Sequence, residues 1–189
     1  MTLTLIGAGR VGYYAALYAV TTGLAAEIVF HDRDPVRAEA AVARLPGEAR
    51  FARASACPID RLPATDIVVL ATDANVPVCA PLAWNAKPVI SLGADTTQQC
   101  ELAPAWAEHA ELFADSLDSL RYGDLRAWLE AGLMAASRVS GFGEFLRNGC
   151  PSLERPGVFV STGLALFDNL AIGYLLECAD RSGSCGLRR

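Results

Sequence analysis

Glycines at 7, 9 and 12 and an aspartate at 32 are the residues of this chain whose types and spacing best suit a defined chemistry, the holding of a dinucleotide. They follow a short apolar run, Thr2-Leu-Thr-Leu-Ile6, and precede a long apolar segment without proline. That order reads as strand, tight turn and helix. Gly7 lets the chain turn off the strand, Gly9 leaves room for a pyrophosphate against the backbone, and Gly12 lets helix and strand pack closely. The helix N-terminus then offers unpaired N–H groups and a positive dipole end to phosphates. A second apolar run, Glu27-Ile-Val-Phe-His31, ends in Asp32, 20 residues past Gly12. A carboxylate there can accept from both hydroxyls of an adenosine ribose; the other reading is a turn residue ahead of Asp34-Pro35. Arg33 could stack on adenine or meet a 2′-phosphate, but Asp32 repels that phosphate, so NAD is favoured over NADP.

Further polar residues close the other apolar runs. Thr72 follows Leu70-Ala71, where a hydroxyl can meet a nicotinamide ribose or can start a turn. Asp95 follows Ser91-Leu-Gly-Ala94. A carboxylate at that strand tip suits the general base needed beside a hydride-transfer carbon, and Gly93-Ala-Asp-Thr-Thr97 is also good turn chemistry. Asp168 lies in Gly163–Leu176, a segment apolar nearly all round that predicts a buried helix. A carboxylate on such a helix needs hydrogen-bond donors or a raised pKa, whether it orients an active site or caps a neighbouring loop.

Positioning these groups takes an alternation of strands and helices. The first helix is predicted from about Arg10 to Thr22, closed by Gly23. The second starts at a cap, Asp34, with Pro35 in its first turn. It carries Ala38, Ala41, Val42 and Leu45 on one face and ends before Pro46-Gly47. Residues 50–54 suggest a third strand. Thr65–Ala71, Pro88–Leu92 and Ala110–Ala114 are apolar runs of the kind buried in a parallel sheet. The expected fold class is therefore α/β: a Rossmann-like, doubly wound parallel sheet with helices on both faces. One dinucleotide-binding domain is expected over 1–179, with a flexible tail over 180–189.

Composition narrows the partners. Of 189 residues, 52% are hydrophobic and 20% charged, so the chain is globular. A net charge of −5 argues against nucleic acid or an anionic membrane as partner. The longest apolar stretch, Val158–Cys178, is interrupted by Asp168, Asn169 and Glu177, which argues against a membrane span. The six cysteines form no C-x-x-C pair, so reduced thiols in a cytoplasmic protein are expected and no metal site is. The opening strand reads as mature protein rather than a signal peptide.

From Thr65 to Glu177 the chain resembles the nucleotide-binding half of the ornithine cyclodeaminase/μ-crystallin family. The matching stretches are Ala71-Thr-Asp-Ala-Asn75, Ser91-Leu-Gly-Ala-Asp95, Glu101-Leu102, Asp115-Ser116, Tyr122-Gly-Asp-Leu125, Ala131-Gly-Leu133 and Ser161-Thr-Gly-Leu-Ala-Leu-Phe-Asp168. The glycine motif and Asp32 extend the likeness to the N-terminus. The resemblance implies an NAD-dependent oxidoreductase acting at the α-carbon of an amino acid, imino acid or 2-oxo acid, a cyclodeaminase or an imine reductase for example. It implies Asp95 as acid/base, with Arg10 and Val11 at the phosphate loop and Thr72 at the cofactor. It further implies Leu92, Gly93 and Ala94 on the nicotinamide side, Ser161 on cofactor, Thr162 on substrate and Asp168 as a characteristic helix acid.

Family members also carry an α/β segment ahead of this region, which supplies substrate-binding Arg and Lys residues and a dimer interface. No basic residue here maps onto those substrate positions. The resemblance therefore raises three expectations: a partner completes the site, the substrate differs, or catalysis is lost. A homo-oligomer or a partner protein covering the apolar 163–178 helix is expected. The opening, Ile6-Gly-Ala-Gly-Arg-Val-Gly12 with Gly23–Phe30, also resembles lactate and malate dehydrogenases. Neither His31 nor His109 has the flanks of their catalytic histidine, so that likeness supports NAD and not the same reaction.

Overall fold

A computed structural model describes residues 1–45, 53–81, 88–92, 96–149 and 154–183. The strands are β1 (Thr2–Ile6), β2 (Glu27–His31), β3 (Arg53–Ala56), β4 (Ile67–Leu70), β5 (Pro88–Ser91), β6 (Glu111–Ala114), β7 (Val139–Gly141) and β8 (Gly157–Val160). The helices are α1 (Arg10–Thr21), α2 (Pro35–Arg44), α3 (Trp106–His109), α4 (Gly123–Glu130), α5 (Phe142–Asn148) and α6 (Ala165–Gly183).

The strands form one sheet in the order β3-β2-β1-β4-β5-β8-β6-β7, and every pairing is parallel. The chain winds outward from β1 through β2 to β3, then returns to β4 on the other side of β1. Strand alternation feeds two cores. Leu3, Leu5, Ile28, Phe30 and Val69 point to the face covered by α1 and α2. Ile6, Val68, Leu70, Val89, Leu112 and Val158 point to the face that buries Trp106 of α3 with Leu125 and Trp128 of α4. Runs buried on both faces read as continuously apolar, which is why β4 and β5 are visible in the sequence.

The differences from expectation are local. The third strand is Arg53–Ala56 rather than 50–54, and residues 46–52 lie outside the described residues. β7 and β8 are strands that the sequence reading did not separate from their surroundings. The helix over 163–176, expected to be buried, is exposed along its described side chains from Ala165 to Glu177. Its apolar surface is left open among the described residues, so hydropathy named the helix but not a cover within this fold, and the exposed face is the one expected to need a partner. α6 also continues to Gly183, past the expected start of a tail at 180; residues 184–189 lie outside the described residues.

Candidate functional site

The winding direction reverses between β1 and β4, and in open parallel sheets such a reversal leaves a crevice beyond the strands' carboxyl ends. A cleft of about 650 Å³ lies there, within the range of ligand-sized pockets. Its walls come from five strand ends: Gly7, Gly9, Arg10 and Val11 after β1, His31 to Arg33 at β2, Ala71 to Ala74 after β4, Leu92 after β5, and Ser161 to Gly163 after β8. Residues 93–95 lie outside the described residues, so Gly93, Ala94 and the candidate acid/base Asp95 do too.

The three glycines of the loop answer to different causes. Gly7 turns the chain at φ +99° and donates its N–H to His31 O at 2.8 Å. A Cβ on Gly7 would lie 2.3 Å from Ala71 O, and one on Gly12 would lie 2.0 Å from Gly7 O. Close backbone approach demands glycine at both. Gly9 sits at φ −72°, ψ −170°, and a Cβ built on it meets nothing within 4 Å. Neither strain nor crowding within the protein calls for glycine there; the space beside it stays open. α1 starts at this residue with no side-chain cap and no acid in its first turn. Its first N–H groups and its positive dipole end are left for an anion. Open space over Gly9, bare donors and a cleft of this size together fit a pyrophosphate-bridged dinucleotide.

Asp32, half-buried at the end of β2, accepts from Ala8 N and from Asp34 N, each at 2.9 Å. The carboxylate thus ties the glycine loop to the second strand, and each oxygen keeps a lone pair for a ribose hydroxyl. Arg33 is exposed and reaches across the rim to Asp73 at 3.5 Å, an ion pair of small energetic weight.

The other side of the cleft is built on buried carboxylates. Glu101 is fully buried and accepts from Thr72 N and Thr72 Oγ1, both at 2.6 Å, and from Ser91 Oγ at 2.7 Å. The Thr72 hydroxyl is therefore spent on holding β4's exit to β5's end, and it also accepts from Ala74 N at 3.2 Å. Asp124 of α4, also fully buried, accepts from the backbone N–H groups of Glu101 and Leu102 at 3.1 Å. Burial pushes Asp124 up from 3.8 to about 6, the nearby Glu101 adds to the rise, and the backbone donors work against it.

Asp115, at the end of β6, wires in the last loop. Oδ1 accepts from Ser116 N at 2.7 Å and Ser119 Oγ at 2.6 Å. Oδ2 accepts from Ser161 Oγ at 2.8 Å, Thr162 N at 3.0 Å and Gly163 N at 2.9 Å. Ser119 spends its proton on Asp115, so in its 2.9 Å contact with Thr162 Oγ1 the threonine is the donor. Ser161 and Thr162 therefore line the cleft with hydroxyls whose protons point inward, and both can only accept from a ligand.

The structure brings together Gly7, Gly9, Arg10, Val11, Asp32, Arg33, Thr72, Leu92, Ser161 and Thr162 around one cleft. Gly12 stands just behind the loop. Asp168, exposed in the first turn of α6, is not among the residues lining it. Glu101, Asp115, Asp124, Ser91 and Ser119 do structural work that the residue types alone did not reveal. The signals available were the family resemblance, whose stretches contain Ser91, Glu101, Asp115 and Asp124, and position, since Asp115 directly follows an apolar run that ends as a strand.

No protein-family model matches the chain, and no curated protein does. Solved structures do match. The iminosuccinate reductase of Paracoccus denitrificans, solved with NAD+, superposes with a TM-score of 0.83 at 23% identity. The Δ1-pyrroline-2-carboxylate reductase of Thermococcus litoralis, solved with NADH and L-proline, gives 0.83 at 20%. An archaeal alanine dehydrogenase dimer with bound NAD gives 0.83 at 21%. Each covers 96% of this chain, while the chain spans 57%, 59% and 58% of theirs, so it has less than two thirds of their length. The chain has their Rossmann-like, doubly wound parallel fold over almost its whole extent.

Proposed function

We propose that this chain binds NAD(H) and serves an oxidoreductase acting at the α-carbon of an amino acid, imino acid or 2-oxo acid, as an imine reductase or cyclodeaminase does. The observation that carries the reading is Gly9: a glycine that the protein's own packing does not require, at an uncapped helix start over a ligand-sized cleft. The similar structures, solved with NAD+, NADH or NAD, support the same cofactor.

In this reading Gly9 and the α1 N-terminus hold the pyrophosphate, and Asp32 takes the adenosine ribose hydroxyls. Charge repulsion at Asp32 favours NAD over NADP. The nicotinamide supplies or takes the hydride. Ser161 and Thr162, acceptors only, orient donors: a ribose hydroxyl at Ser161 and a substrate N–H at Thr162. Asp95 moves a proton to or from the substrate nitrogen or an attacking water. A small-molecule acid is the partner, and a cytoplasmic location is part of the proposal; no helix among the described residues is long and apolar enough to cross a membrane.

A second reading is favoured by α6, whose described side chains are exposed and largely apolar. Here the chain is an NAD-binding subunit whose site a second copy or another protein completes, with α6 as the contact. NADH oxidation by the purified chain, against cyclic imino acids and against small 2-oxo acids with amines, separates the two. Substrate-dependent oxidation that Asp95→Asn abolishes, with NADH affinity nearly intact, supports the enzyme. Saturable NADH binding without turnover supports the subunit. An absence of NADH binding overturns both.

A further inference from the structure

A second groove, of about 520 Å³, lies outside the strand-end cleft, between the flanks of α1 and α2. Arg10, Tyr13 and Tyr14 form one wall at the three- and four-residue spacing of a helix face. Arg37, Ala40, Ala41 and Arg44 form the other. Among the described residues no carboxylate lines the groove, although the chain as a whole carries a net charge of −5. Arg37 Nε lies 3.8 Å from Asp34 Oδ2, an exposed ion pair. Three arginines thus line one groove together with small and aromatic residues.

Tyr13 adds an independent observation. It is 2% exposed, and its hydroxyl is buried without a hydrogen-bond partner. Buried hydroxyls are ordinarily satisfied, and an orphan needs a reason. Arg44 lies over the ring with Cζ 3.9 Å from the centroid, and both residues line the groove. A planar fork of donors beside an idle hydroxyl donor is the chemistry that recognises a tetrahedral oxyanion.

We infer that the α1–α2 groove is a binding site for a phosphate monoester, held by Arg44, Arg37 and Arg10 with the Tyr13 hydroxyl as the inner donor. Arg44 leaves the ring to take the phosphate oxygens, and this uncovers the hydroxyl for the fourth contact. The groove meets the cleft at Gly9, Arg10 and Arg37. The monoester therefore arrives as a separate molecule or, against the preference for NAD that Asp32 sets, as the 2′-phosphate of a dinucleotide lying in the cleft.

Calorimetric titration of the full chain with inorganic phosphate and with phenyl phosphate, in the absence of dinucleotide, tests the site separately from the NAD(H) reading. Saturable binding in the millimolar range or tighter is expected, weakened at least tenfold in Arg44→Gln. Tyr13→Phe should bind about threefold more weakly while the unliganded protein melts at the same temperature or higher, because the variant removes an unsatisfied buried group. Those opposite signs are what a merely structural tyrosine would not give. Phosphate binding that survives saturating NADH and is abolished by NADPH makes the 2′-phosphate the occupant; binding that survives both makes it a separate molecule. No saturable binding, or affinity unchanged in Arg44→Gln and Tyr13→Phe, overturns the proposal, the second result because it leaves phosphate on the glycine loop.

Discussion

α1 and α2 start in the same way, each at the carboxyl end of a parallel strand beside one cleft, and they treat their exposed N–H groups oppositely. α2 satisfies its own start: Asp34 Oδ1 accepts from Val36 N at 3.0 Å, and Pro35 removes one donor outright. α1 starts on Gly9, with no capping side chain and no acid in its first turn. The backbone problem is identical, so the difference reports purpose. A helix start completed by its own sequence is structural, and one left bare over an open cleft is reserved for something that is not protein.

The comparison can be broken most severely at Gly12, which holds α1 against the loop. A Cβ there meets Gly7 O at 2.0 Å, so Gly12→Val should cost about 3 kcal/mol or more and lower Tm by roughly 10 °C in thermal unfolding. Gly9→Asp gives α1 the cap that α2 has. NADH affinity, followed by fluorescence quenching, should fall about 100-fold, ~2.7 kcal/mol, while Tm stays equal or rises slightly. A destabilised Gly9→Asp protein would mean that the open space is needed by the fold, and the contrast between the helices would fail. Asp34→Ala is the reciprocal change: it should cost about 1 kcal/mol and leave NADH affinity where it was.

The smallest effect concerns a third solution to bare N–H groups, the buried Asp124 beneath Glu101 and Leu102. Its folded value of about 6 lies above the ordinary 3.8, so the folded state holds this proton more tightly than the unfolded one. The stability it confers is complete below about pH 4 and is lost as pH rises to about 6. Denaturant midpoints of parent and Asp124→Asn, measured across that window, should shift in favour of the variant as pH rises. A constant difference would leave Asp124 without a proton-linked role.

What could be read from residues alone follows the range of the interactions. The glycine loop, Asp32 and the Asp34 cap are legible because each acts on neighbours within a few positions or on the adjacent strand of one β–α–β unit. Glu101 and Asp124, and Asp115 through Oδ2, are opaque because those donors lie 10 to 48 residues away, and residue type says nothing about which distant loop a carboxylate will meet. β7, of three residues, is too short to show a period, and β8 runs into the apolar stretch Val158–Cys178 and is not set apart by it. α6 is the instructive failure. Its apolar pattern specified a helix correctly, but the pattern carries no information on whether the covering surface belongs to this fold.

β8 comes late in the chain yet lies between β5 and β6. Until residues 157–160 are in place, the β5 side of the sheet and the β6–β7 pair have no strand joining them, and each presents an open edge. Four residues therefore act as a keystone whose partners lie far back in sequence, the kind of non-local pairing that slows folding. Completion of the sheet waits on the same segment that leads into Ser161 and Thr162, so closing the sheet and assembling that wall of the cleft are one event.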